Sequence, residues 1–119
     1  MNLRSFGLST LILFGGLPVG AFAAQVTVTS TVQMATTYPA NSGWATPDTI
    51  FTLVSGPSGG CDGFWLRPSD AGYQASYAML LAAQMTQRSL TVTGLSDSAD
   101  LWTGATGTKY CLVYALSWQ

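Results

Sequence analysis

The chain has 119 residues, with five aspartates against four basic side chains, no histidine and no glutamate. Those two absences remove the commonest general base and the commonest metal ligand. The acidic balance argues against nucleic acid or an anionic membrane, because Lys and Arg contacts to phosphate supply most of such affinity.

Residues 1–23 read as a leader rather than as part of the fold. Arg4 supplies a positive start, Phe6 to Val19 an apolar centre, and Ala21-Phe22-Ala23 a small-x-small cleavage site. Either Ala24 or Gln25 then begins the mature chain. The apolar run is too short for a span of ~20 residues and has no basic stop behind it, so a membrane span after leader removal is not expected. No cysteine lies near the cleavage site to take a lipid. About 96 residues remain, enough for one small domain, 24–119, secreted or periplasmic. Without Arg4, the cations Arg67, Arg88 and Lys109 face all five aspartates, which gives a net charge of −2.

Gln25 to Met34 alternates, with Val26, Val28, Val32 and Met34 on one face and Thr27, Thr29, Thr31 and Gln33 on the other. Period two with β-branched residues predicts a half-buried strand. Ala35 to Asp48 carries two prolines and a glycine and reads as a long loop. Ile50 to Val54 is a second strand. Ser55 to Gly60 is a turn, and Phe64 to Arg67 a third strand led in by Cys61.

Pro68 and Ser69 start a helix that runs from Asp70 to Arg88, with Ser69 or Asp70 capping it and Asp70 and Arg88 suiting the two ends of its dipole. At 100° per residue Tyr73, Tyr77, Leu80 and Leu81 fall together. Ala75, Ala78, Met79 and Ala82 fall roughly opposite, with Met85 between. A surface helix should show one apolar stripe; this one is apolar or small nearly all round. Either it is buried on most sides within one domain, or its second face, Ala75, Ala78, Met79, Ala82 and Met85, packs on other copies of the chain.

Leu90 to Thr93 is a fourth strand and Gly94 to Thr108 a second long loop. Lys109 to Trp118 is the last strand, apolar on both faces and therefore central or in contact with the helix. The fold class is mainly β with one long helix, in the order β-β-β-α-β-β. That is the order of an OB-fold, a small Greek-key barrel, which is favoured over an open antiparallel sheet with one helix packed on it.

Cys61 and Cys111 are the only cysteines and are expected to pair in an exported chain. The bridge closes a loop of roughly 50 residues, which chain entropy values at about 4 kcal/mol.

No serine nucleophile has an obvious base, since Lys109 is the only lysine and bridged cysteines offer no thiolate. Asp97 with Asp100, or Asp62 with Asp70, could form a carboxylate pair for glycoside hydrolysis, but capping and turn-forming aspartates explain them better. Asp97-Ser98-Ala99-Asp100 lacks the ligand series of a calcium loop. The reading is no enzyme, no cofactor and no metal. Aromatic and small polar groups gather in the two long loops: Tyr38, Asn41, Ser42 and Trp44 in the first, Asp97, Ser98, Asp100 and Trp102 in the second. Flat aromatic faces beside hydroxyl, amide and carboxylate groups suit a sugar ring, and these eight residues are the expected glycan site. One or both tryptophans could instead fold back over the ends of the barrel.

The helix Asp70–Arg88, running straight into Ser89-Leu90-Thr91-Val92-Thr93, together with Cys61 and Cys111, resembles the B subunits of AB5 toxins. Within that group it is most similar to the pertussis-like and subtilase-cytotoxin type. The resemblance implies an OB-fold that assembles as a homopentamer with its helices lining the central pore. It also implies an outer surface that binds cell-surface glycans and a possible enzymatic A subunit as partner. The alternative is a secreted or periplasmic structural or inhibitor-like domain that binds another protein.

Overall fold

The computed structural model describes residues 24–39, 48–105 and 107–119. Strands β1 (Gln25–Ser30), β2 (Val32–Thr37), β3 (Thr49–Leu53) and β4 (Gly63–Leu66) precede helix α1 (Tyr73–Thr86), and β5 (Leu90–Leu95) and β6 (Tyr110–Trp118) follow it. The six strands form one mixed sheet in the order β1-β5-β6-β4-β3-β2. All neighbours are antiparallel except β4 and β6, which run parallel. The parallel pair sets aside a purely antiparallel sheet, and among the described residues no ladder joins β1 to β2, so the sheet is not the closed barrel that the element order favours. The expectation that the last strand is central holds, since β6 lies between β5 and β4.

The first expected strand is two strands. Thr31 breaks it, and β1 and β2 become the two edges of the sheet, unpaired with each other. One residue of extended chain reaches at most ~3.6 Å, whereas flat strands lie about 4.8 Å apart. Six strands can place consecutive segments at both edges only if the sheet is rolled. The corner is tied by Val54 N–H donating to Thr31 O at 2.9 Å and by Ser55 N–H donating to Ser30 Oγ at 3.0 Å.

Val26 and Val28 point toward the core as the alternation predicts, while Thr27 and Thr29 face out and pair hydroxyl to hydroxyl with Thr93 and Thr91 of β5. Past the corner the pattern shifts. A bulge between Val32 and Met34 adds a residue against β3, so Val32 is buried and Met34 is 44% exposed. Ala35 takes the core-side position instead. A bulge reverses every later side chain by one step, so the expected shared face of Val32 and Met34 does not form.

The core is Phe51, Phe64, Leu80, Leu90 and Val92 with their neighbours, and the Cys61–Cys111 disulfide lies within it. Phe51 and Phe64 rings meet at 5.7 Å. Gly94 sits at a second bulge, between β5 and β6, where a Cβ would come within 2.6 Å of the Phe64 ring; glycine is what admits the phenyl group.

Helix α1 lies over β2, β4 and β6 and buries Leu80 and Ala83. It starts later than expected and lacks the predicted cap. Asp70 Oδ1 accepts from the Arg67 Nε and Nη2 groups at 2.9 Å, and residues 67–73 make a turn in which Asp70 N–H donates to Arg67 O and Tyr73 N–H to Asp70 O. The carboxylate is therefore turned to its own strand end, and Gly72 holds the cap position without a side-chain bond. At the other end Gln87 adopts φ 53, the left-handed turn that stops the helix, and the N–H groups of Gln87 and Arg88 both donate to Ala83 O. Among the described residues no helix is long and apolar enough to cross a membrane.

Candidate functional site

The described ends of the first long loop meet the second long loop over the outer side of β4. β2 delivers Tyr38, whose N–H donates to Asp48 O at 2.9 Å, closing the described ends of the first loop on each other. The second loop folds back so that Trp102 N–H donates to Tyr110 O at 3.0 Å. Trp102 is then stacked on Tyr38 at 5.7 Å and meets the edge of Tyr110 at 5.6 Å. Its indole N–H donates to Asp48 Oδ2 at 2.8 Å. Trp102 is 6% exposed and Asp48 3% exposed, and Ile50 completes this small second core. Gly104 lies flat on the Trp102 ring, where no Cβ would fit. Trp102 is thus a wall shared by the loops, the fold-back that the sequence allowed.

Of the other expected residues, those that are described do not join this stack. Asn41, Ser42 and Trp44 lie outside the described residues. Asp97, Ser98 and Asp100 belong to a single 3-10 turn, Ser98–Asp100, with Asp97 before it. Asp97 Oδ2 accepts from Ala24 N–H at 3.3 Å. Asp100 contributes its carbonyl, which accepts from the Trp65 indole N–H at 2.9 Å. Among the described members of the eight, Tyr38 and Trp102 are in ring contact.

Beside that contact is a cleft of about 320 Å³ lined by Asp48, Trp65, Arg67, Ser69, Trp102 and Thr103. Trp65, Arg67, Ser69 and Thr103 were not expected there. The signal for Trp65 was present in the strand alternation. Phe64 and Leu66 face the core, so Trp65 must face out, toward the loops. A second cleft of about 270 Å³ opens on the far side of Arg67, rimmed by Asp70, Tyr73, Ser76 and Tyr114 above Leu112. Arg67 and Asp70 form a solvent-facing ion pair at the boundary between the two. Such a pair adds little stability, but it offers donors and an acceptor side by side with no net charge.

Tyr110 stands under the wall formed by Trp102. Burial pushes its phenol above the ordinary range, and the neighbouring Tyr38 phenol and Asp62 carboxylate push the same way. The Asp62 carboxylate is engaged by Lys109 N–H at 2.8 Å. Among the described residues no cluster of three His, Cys, Asp or Glu side chains could hold a metal ion.

On α1, Ala75, Ala78 and Met85 are exposed, Met85 at 85%, and Ala82 is half-buried. Met79 packs on the domain's own core. The open face of the helix is therefore the alanine row with Met85.

No family model, no curated protein and no solved structure matches this chain.

Proposed function

We propose that this chain is a non-catalytic, exported OB-fold-like module that binds glycans and self-associates through α1, as the B subunit of an AB5-type toxin does. The observation that carries the glycan reading is the cleft beside the Tyr38–Trp102 stack. It sets Trp65 beside Ser69, Thr103 and Arg67, whose ion-pair partner Asp70 lines the neighbouring cleft. Indole faces suit the C–H face of a sugar, and neighbouring donors and acceptors suit its hydroxyls. The OB-fold reading is supported by the consecutive edge strands: counted as one bent strand, β1 and β2 give with the four others five strands, with α1 between the third and fourth. The open row Ala75, Ala78, Ala82 and Met85 supports self-association, since a solvated helix face has no need to be apolar. Export is supported by the buried disulfide, which belongs to an oxidising compartment.

The test is a glycan array with the mature protein, wild type and Arg67→Ala, with light scattering on the same samples. Binding to a defined glycan that falls at least tenfold in Arg67→Ala, in a particle several chains in size, is the expected result. Silence across the array removes the glycan reading, and a strict monomer at high concentration removes the ring.

A second reading, a domain that docks another protein, is favoured by Tyr114 and Trp118 on β6, which are 66% and 44% exposed. Exposed aromatic side chains of this size are common anchors at protein interfaces. Tyr114→Ala and Trp118→Ala would then abolish capture of that partner while glycan binding is unaffected.

A further inference from the structure

The start of β1 is held more closely than an edge strand requires. The β1–β5 ladder begins at Gln25↔Leu95, yet Ala24 O also accepts from Ser96 N–H at 2.9 Å and from Ser96 Oγ at 3.3 Å. On its other side Ala24 N donates to Asp97 Oδ2 at 3.3 Å, a contact between positions 73 residues apart. Both polar atoms of one backbone residue are thus engaged by the Ser96-Asp97 pair. The expected leader ends at Ala23, so Ala24 N is the nitrogen that a leader peptidase would release.

We propose that cleavage falls between Ala23 and Ala24, and that the α-ammonium it creates is clasped by the Asp97 carboxylate. The proposal rests on the exported reading above. Hydrolysis breaks the amide C–N bond of Ala23; water gives its hydroxyl to the Ala23 carbonyl carbon and a proton to Ala24 N. At neutral pH the new acid loses its proton and the new amine gains one. Before cleavage Asp97 meets a neutral amide N–H, a bond already assisted by its own charge. Afterwards it meets a full positive charge, and the contact becomes an ion pair as well. Cleavage one residue later would discard the nitrogen and the carbonyl that meet Asp97 and Ser96, so the structure chooses Ala24 over Gln25 as the first mature residue. It also gives Asp97 a role at the edge of the sheet rather than in a ligand site.

The full precursor, exported into a bacterial periplasm and weighed intact, gives the first readout. The expected mass begins at Ala24; a start at Gln25 or beyond overturns the proposal. The second readout is the titration of the α-amine in the mature protein, followed by NMR. Its pKa is expected above the ordinary value of about 7.7–8.0, by half a unit or more, and to return there in Asp97→Asn. Asp100→Asn, on the same turn, is expected to leave it raised, because the clasp is a contact and not a general field. An amine that titrates identically in wild type and Asp97→Asn overturns the clasp. Melting gives a third readout. Asp97→Asn should lower Tm by about 2–4 °C in the mature protein and by less than about 1 °C in the same protein acetylated at its amino terminus. A precursor that keeps its leader overturns the exported reading instead. In that case the clasp is decided by the same titration on a chain released at Ala24 from a fusion.

Discussion

Trp102 and Asp48 are coupled through a buried hydrogen bond that no sequence pattern announces, since 54 positions separate them. Hydrogen bonds to charged groups contribute about 1.5–3 kcal/mol. Trp102→Phe keeps most of the ring and removes the donor, so it should destabilise the domain by about 2 kcal/mol, read as a lower urea midpoint at unchanged slope. Tyr110 makes a pH prediction. Its phenol is raised in the folded chain, first by burial and then by Tyr38 and Asp62. Above the ordinary tyrosine value of about 10 the unfolded chain gives up this proton before the folded one does. The stability it confers is therefore complete below pH 10 and is lost as pH rises through the folded value. Thermal melts at pH 8 and at pH 11 should show the drop, and Tyr110→Phe should make it smaller.

Helix α1 ends on Gln87 in the left-handed region, φ 53, which a residue with a Cβ occupies at a cost. Gln87→Gly should stabilise by about 0.5–1 kcal/mol, after allowing for the lost bond from Gln87 Nε2 to Gln84 O. The helix itself was legible in the sequence, as were most of the strands, because periodicity is a local signal; the break at Thr31 and the run of β2 on to Thr37 were not. Its start was not. Pro68-Ser69-Asp70 carries every mark of a first turn, but Arg67 competes for the same carboxylate, and that competition is settled in three dimensions. The Met34 reversal was hidden for a similar reason, since the bulge is fixed by register against β3. Of the site, the clustering of Tyr38 with Trp102 was readable as two aromatic loops. Arg67, Ser69 and Thr103 were not, because they gather only when the turn after β4 and the second loop reach the same side of the sheet.

At the scale of the whole molecule the disulfide joins the start of β4 to β6 through residues buried in the core. Its closed loop is long, and for a domain of this size the associated 4 kcal/mol is a large part of a stability that is typically 5–15 kcal/mol. Cys61→Ala with Cys111→Ala should lose about that much, measured by urea unfolding against the oxidised wild type. The sheet order adds a consequence in time. β6 is the last strand in chain order and also the one on which the two halves meet: without it, β1-β5 and β4-β3-β2 are separate fragments with no ladder between them. Until residues 110–118 arrive there is no continuous sheet for α1 to cover and no partner for Cys61. A chain emerging amino terminus first through a narrow channel would stay threadable along nearly its whole length, then close around its keystone in a single late event.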